Sequence, residues 1–318
     1  NSGTVSGSVY GGGMGLKNNT VAGKVQAGLI NVTIGTSTSE PAIKGSVYGG
    51  GAIGITDIGT GTISVAVNSG TVSGSVYGGG MGLKGNAEVG KVQASKINVT
   101  IGTPATEPTI KGSVYGGGAY SFTVSEIAVV INNGIVHGNV FSGGLGTSIS
   151  QTINSQSTAG NRTLKMNGGR VKGSVYGSSS YGNDGSIGDP HNTEVEISAG
   201  IVDGSVYGAG FKGITHGNTK IVIKGTASIG MSVYGGADVG VVTGAFVEET
   251  KVFGNSTIFI DGTGGASVAG SVFGSGNSCL VSGTKTVSVK GVTDTTMQSF
   301  QNITDLKIES SDITLVGR

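Results

Sequence analysis

Four prolines, three histidines and one cysteine are all that 318 residues contain of those types. So little proline, with no strict glycine at every third place, excludes collagen. Cys279 has no second cysteine to pair with in this chain, and cysteine avoidance suits a secreted protein that relies on stacking as well as a cytosolic one, so the redox compartment stays open. Charged residues make up 12 %, about half the usual share, and the formal net charge is +1 with no block of like charge. That pattern lacks the basic footprint of a nucleic-acid binder and implies no partner chosen by charge. No apolar run approaches the roughly 18 residues needed to span a bilayer, and no charged-then-apolar signal segment opens the chain. The first residue, Asn1, stands in mid-pattern, as expected of a portion excised from something longer.

What is abundant is glycine, 64 residues in all. Each glycine inside a helix costs about 1 kcal/mol relative to alanine, so helix is heavily disfavoured. Disorder explains the composition no better, because valine and isoleucine recur in short alternating runs. The decisive signal is repetition. Gly-Ser-Val-Tyr-Gly begins at Gly7, Gly45, Gly74, Gly112, Gly173 and Gly204, with variants beginning at Gly138, Met231 and Gly270. A larger duplication overlies this, since residues 1–17 recur letter for letter as 68–84.

Before most copies stands a stretch with an apolar residue at every other position: Ile30/Val32/Ile34, Ile63/Val65/Val67, Ile97/Val99/Ile101, Ile127/Val129/Ile131, Val195/Ile197, Ile221/Ile223, Ile258/Ile260 and Val287/Val289. Period two with polar residues between makes these half-buried strands. An Asn/Ser-Gly or Gly-Gly turn follows, then a second strand such as Thr4 to Tyr10, then a glycine corner and a loop of variable length. So short a unit cannot bury its valines alone, so the units must stack, each strand pairing in parallel with its equivalent in the next turn. The expected fold is all-β, a single-stranded parallel β-helix (β-solenoid) of about nine coils, right-handed by the general rule for parallel crossovers. At a strand spacing of about 4.8 Å it would stand roughly 40 Å tall. Residues 1–290 form the repeat domain, and 291–318, which drop the Tyr-Gly-Gly phrase, form a terminal coil or the start of a next segment. Neither end carries an evident polar cap, so adjoining segments of a longer chain or head-to-tail self-association are expected partners.

The cadence across Ile127 to Gly144 and Val195 to Gly210 resembles the glycine-rich β-helical repeats of very large bacterial and archaeal adhesin-like surface proteins. The resemblance covers 1–290. It implies an extracellular or cell-surface location and a structural or adhesive role, and it names no ligand.

One aromatic slot runs through all nine units: Tyr10, Tyr48, Tyr77, Tyr115, Tyr176, Tyr207 and Tyr234, with Phe141 and Phe273. Strict alternation with Val5, Gly7 and Val9 inward places Tyr10 outward, giving a stripe of rings that would bind host or microbial glycans or a surface protein. The competing placement turns each ring into the glycine corner as a stacked structural ladder, which the triple glycine and the Phe replacements favour. The serine slot (Ser8, Ser46, Ser75, Ser113, Ser174, Ser205, Ser232, Ser271) reads as a hydroxyl ladder, because a nucleophile with its base and orienting group occurs once.

Gly80 to Gly85 mimics a dinucleotide pattern and Gly85 to Lys91 most of a P-loop, but both mechanisms need a helix behind the glycines and the second needs Ser or Thr where Val92 stands. The loop from Asn183 to His191, with Asp184, Asp189, Glu194 and Glu196, is the only polar cluster. It lacks calcium-loop spacing, has no arginine near it in sequence except Arg170, and reads as a solvated loop. His137, His191 and His216 fall in separate units and make no zinc pattern. Sequons at Asn18, Asn31, Asn98, Asn161, Asn255 and Asn302 matter only with a glycosylating host. No catalytic residue, metal ligand or cofactor is expected. The leading expectation is a stalk or adhesive flank of a surface adhesin. The alternatives are a glycan-binding solenoid using the tyrosine stripe and, less well supported, a polysaccharide lyase or hydrolase, which needs paired carboxylates.

Overall fold

A computed structural model describes residues 3–16, 23–84, 86, 89–146, 160–186, 188–238, 251–292 and 299–309. It is a parallel β-solenoid: every pairing between its named strands is parallel, and no α-helix occurs among the described residues. Each coil contributes three strands to three long sheets. The first sheet collects the long alternating strands, from Leu29–Ile34 through Thr62–Val67 and onward to Lys285–Lys290 and Asp305–Glu309. The second collects two-residue strands from Thr4–Val5 to Ser267–Val268. The third collects the Val-Tyr pairs, from Val9–Tyr10 to Val272–Phe273, and ends with Phe300–Gln301 as its tenth strand. A short fourth ladder joins Ile214–Thr215, Lys251–Val252 and Leu280–Val281.

Register is what the sequence period requires. Ile63 lies between Ile30 and Ile97, Val76 between Val47 and Val114, and Val72 between Ile43 and Ile110. The valines and isoleucines of all three sheets therefore merge into one core along the stack. The coil missing from the alternating runs in the sequence is Arg162–Met166, where Leu164 and Met166 fill the two inner slots and Arg162 the third.

Two glycine sites explain the punctuation. The turns after the long strands need a left-handed residue, and Gly70, Gly134, Gly169 and Gly200 supply it with φ of 82°, 101°, 76° and 94°. The first glycine of the triplet faces the opposite wall of the core: a Cβ at Gly78 would overlap the Gly116 carbonyl and the Ile97 Cγ2. A solenoid this narrow admits at most a small side chain there, as in the Phe141 coil, where buried Ser142 takes the slot and donates its hydroxyl to the Gly177 carbonyl.

The stack also runs past residue 290. Phe300–Gln301 pairs with Val272–Phe273, and Asp305–Glu309 pairs with Thr286–Lys290, so the described part of 291–318 adds a tenth coil where nine copies of the phrase suggest nine. Residues 293–298 and 310–318 lie outside the described residues, as does the sequon residue Asn18.

Replacing Ile97, which is fully buried, by Ala should lower stability by about 2–5 kcal/mol, whereas Thr100→Ala on the outward face of the same strand should change it by less than about 0.5 kcal/mol. Urea denaturation followed by circular dichroism measures both. Equal effects would contradict this inside–outside assignment.

Candidate functional site

The aromatic slot comes first, because the glycan-binding alternative depended on it. Along each two-residue strand the valine enters the main core and the tyrosine leaves it, as alternation demands. The tyrosine does not reach solvent. Tyr77 is 6 % exposed, Tyr48, Tyr115, Tyr176, Tyr207 and Phe141 are buried as well, and Tyr10 and Tyr234 are partly buried. Residues from the loops beyond the glycine corner, Met81, Ala119, Tyr120, Leu145 and Phe211, pack over the rings as a second wall. The outward stripe is thus corrected to a covered ladder, because the variable loops fold back over that face. Successive rings from Tyr10 to Phe273 lie 4.5 to 5.0 Å apart, within 8° of parallel.

Below the rings runs a second ladder. The Ser8 hydroxyl accepts from the Ser46 backbone N–H, Ser46 from Ser75, and Ser75 from Ser113, each at 3.0 Å. In the Phe141 coil, Asn139 stands in the serine slot: its N–H donates to Ser113 and its Oδ1 accepts from Ser174 at 2.8 Å. The series continues through Ser205 and Ser232 to Ser271. Each hydroxyl satisfies a backbone donor at the turn, which is a structural use. A third ladder was invisible in the sequence: Asn161, Asn192, Asn218 and Asn255 each accept the backbone N–H of the equivalent residue in the next coil. Its signal was an Asn directly before four successive long strands, at Asn161, Asn192, Asn218 and Asn255.

The Asn183 to His191 segment is a solvated loop only in part: Ser186, Gly188 and Pro190 are exposed, whereas two of its polar side chains are buried. Asp184 and His191 are 3 % and 2 % exposed. Asp184 forms an ion pair with Arg162, whose Nε and Nη2 both donate to Oδ1 at 3.3 Å, while Nη1 donates to the Ser125 carbonyl at 2.6 Å. The other carboxylate oxygen accepts from the Ser178 hydroxyl and from the Ser179 N–H and hydroxyl. Proximity in sequence pointed to Arg170, but that side chain bonds Asp203 on the surface, and the true partner comes from the preceding long strand. Arg162 occupies the inner slot held by Ile127 one coil earlier and Thr193 one coil later. Asp184 takes the place, five residues past the third corner position, where Thr56 and Thr123 accept from Gly51 and Gly118. Two polar departures from the repeat thus satisfy one another, and their donors and acceptors are spent inside the wall. Glu194 and Glu196 lie on the outer face, paired with Lys220 and with Lys165 and Lys224.

His191 Nε2 lies 3.3 Å from Asp189 Oδ2, and the His216 ring stacks on Phe253 at 4.9 Å. Burial and the neighbouring His191 hold the His216 pKa below its usual value. No group of three or more His, Cys, Asp and Glu that could hold a metal occurs among the described residues. Buried Cys279, its Sγ accepting from the Ala237 N–H at 3.1 Å, has its thiol pushed up to about 11 by burial, which removes its nucleophilicity at neutral pH. Gly80 to Lys84 carries no helix, so the phosphate-loop resemblance has no anion site there; Gly85, Ala87 and Glu88 lie outside the described residues. No family model, curated protein or solved structure matches the chain.

Burial raises the phenol pKa of Tyr48, Tyr77, Tyr115, Tyr176 and Tyr207. A raised value means that the folded state holds its protons longer than the unfolded chain. The ladder's stabilisation should be complete below about pH 10, the unfolded value, and be lost as pH climbs through the higher folded values. Phenolate absorbance should rise in step with unfolding; full titration of these tyrosines near pH 10 in the folded protein would contradict the burial. Removing one charge of the inner pair, as in Asp184→Ala, should cost about 3–5 kcal/mol by leaving Arg162 unpaired, measured by thermal denaturation.

Proposed function

We propose that this chain is a structural and interaction-bearing repeat region of an extracellular adhesin-like surface protein, serving as a stalk or adhesive flank. The observation that carries the reading is the column of equivalent side chains, with valine on valine and ring on ring through nine stacked strands. Such a body gains length by adding coils, and its neighbours supply the only contacts each coil needs. The variable loops and the outer face of the long sheet then remain free to differ from coil to coil without disturbing the stack. Charge shows this on the long sheet, where Asn31, Ser64 and Asn98 in early coils give way to Glu194 and Lys220 at the same register later.

Among the proposed partners, glycans have a candidate contact at Phe253 now that the tyrosines are withdrawn. Phe253 is 41 % exposed with Lys251 4.8 Å from its ring, and Leu280 is 61 % exposed on the adjoining strand. A half-exposed ring, stacked on His216 and beside a cation, suits an acidic sugar.

If the chain is a stalk, excising one whole coil should leave a folded protein shortened by about 4.8 Å in small-angle scattering, with the same circular dichroism. Loss of folding on excision would remove the modular reading. On a panel of neutral and uronate glycans, binding abolished by Phe253→Ala and retained by Tyr77→Phe would place the contact on Phe253, and turnover of any glycan would replace the stalk with an enzyme.

A further inference from the structure

Asp189–Pro190 is the one Asp-Pro peptide bond in the sequence, and the fold holds it in an unusual setting. Aspartyl-prolyl bonds are the weakest peptide links in acid. The side-chain carboxylate can reach its own main-chain carbonyl to close a five-membered ring, and the tertiary proline nitrogen is a better leaving group than an ordinary amide. In an open chain this is slow, because carboxylate, carbonyl and proton donor meet only by chance. Around Asp189 the carbonyl already carries a fixed donor and the carboxylate a fixed imidazole.

The main-chain carbonyl of Asp189 accepts from the Ser186 N–H at 2.9 Å, and the Asp189 N–H donates to the Ser186 carbonyl at 3.1 Å. Together these bonds tie Ser186 to Asp189 and place a hydrogen-bond donor on the oxygen where negative charge would develop. The imidazole of His191, one residue beyond the proline, stands with Nε2 3.3 Å from Asp189 Oδ2. His191 is buried, whereas the Asp189 side chain is 47 % exposed, so water reaches the carboxyl while the imidazole stays fixed. Gly185, at φ 74°, lies so close that a Cβ there would crowd the Asp189 carbonyl and the His191 backbone. Downstream, Asn192 enters its ladder at once, pinning the far side of the bond.

We infer that this turn is a self-cleaving site, at which the chain breaks its own Asp189–Pro190 bond in mildly acidic surroundings. In the first step Asp189 Oδ adds to the Asp189 carbonyl carbon, the developing oxyanion held by Ser186 N–H. The C–N bond to Pro190 then breaks, and the nitrogen takes a proton from the His191 imidazolium, leaving a cyclic anhydride on Asp189 and a free secondary amine on Pro190. Water opens the anhydride to the two carboxyl groups of a C-terminal aspartate, and a primary amine can open it instead, forming an amide bond to Asp189. Atoms and electrons balance as a hydrolysis, or as acyl transfer to the amine, with no oxidant or reductant.

Mild acid favours the step because the departing nitrogen must gain a proton, which a neighbouring general acid delivers. The charged groups around this pair are His216 in the next coil, which feels His191, and Asp184, which is committed to Arg162. Because strands on both sides of the break stay hydrogen-bonded in the sheets, the halves should remain associated after cleavage. The function this gives a surface protein is covalent capture of an amine-bearing partner.

The full chain is incubated in mildly acidic and in neutral buffer and followed by denaturing electrophoresis and intact mass spectrometry. Cleavage at one place, with Pro190 as the new N-terminus, is expected, and added hydroxylamine should appear as a hydroxamate on the fragment ending at Asp189. The folded chain should cleave at least about tenfold faster than the same chain in concentrated urea, and His191→Gln should remove about that advantage. Asp189→Asn should abolish the reaction. Equal rates for folded and urea-unfolded chain, or fragments without hydroxamate, would reduce the site to ordinary acid lability and overturn the inference. The urea comparison uses the unaltered chain, so it decides the matter even if His191→Gln disturbs the coil.

Discussion

In-register parallel stacking at the strand spacing is the constraint on which the rest of this structure depends. Once each residue lies over its equivalent one coil away, every slot must hold a side chain able to tolerate a copy of itself above and below. Valine and isoleucine meet that condition by shape, and tyrosine and phenylalanine by offset stacking at 4.5 to 5.0 Å. Serine and asparagine meet it by accepting a backbone N–H from the next coil. Glycine meets it by occupying no space where the opposite wall of the core is nearest. The composition, rich in glycine and poor in charge, follows from this one requirement.

The same constraint decides how departures from the repeat survive. Arg162 stands in a slot that Ile127 fills one coil earlier, and an unpaired guanidinium there would be untenable. It persists because Asp184 stands where other coils place a threonine, and because the carbonyl of Ser125 and the hydroxyl groups of Ser178 and Ser179 complete the set. Beyond it the inner column changes character. Thr193, Thr219 and Ser256 follow in register, their hydroxyls bonding to the corner carbonyls of Gly208, Gly235 and Gly274. The solenoid therefore has an aliphatic half and a half with a hydroxylated seam, and the Asp189 to His191 turn lies near the junction.

Much of this was legible in the residues themselves. Alternating apolar runs identified the long strands, and nine aromatic positions at equivalent places established the stack, because period and recurrence are local properties of a chain. The fate of the tyrosines was legible only in part, for the triple glycine and the Phe replacements favoured a stacked ladder without showing what covers it. Alternation correctly sends Tyr77 away from the valine core, yet whether that face meets water depends on where the loop bearing Met81 and Tyr120 lies, and loop sequence does not encode a landing place. The Arg162–Asp184 pair was hidden for a related reason. Its partners are 22 residues apart and are joined only when one coil closes over the next.

By itself, then, the sequence determined the class of fold, the register and the residues of the core, since these follow from periodicity and from the need of short units to bury apolar faces together. Tertiary structure alone decided which side chains are covered, which charges pair, and that Ser186 bonds the Asp189 main chain while His191 meets its carboxylate. Those outcomes depend on distances between segments remote in the chain or on the exact path of a turn, and no local pattern specifies either.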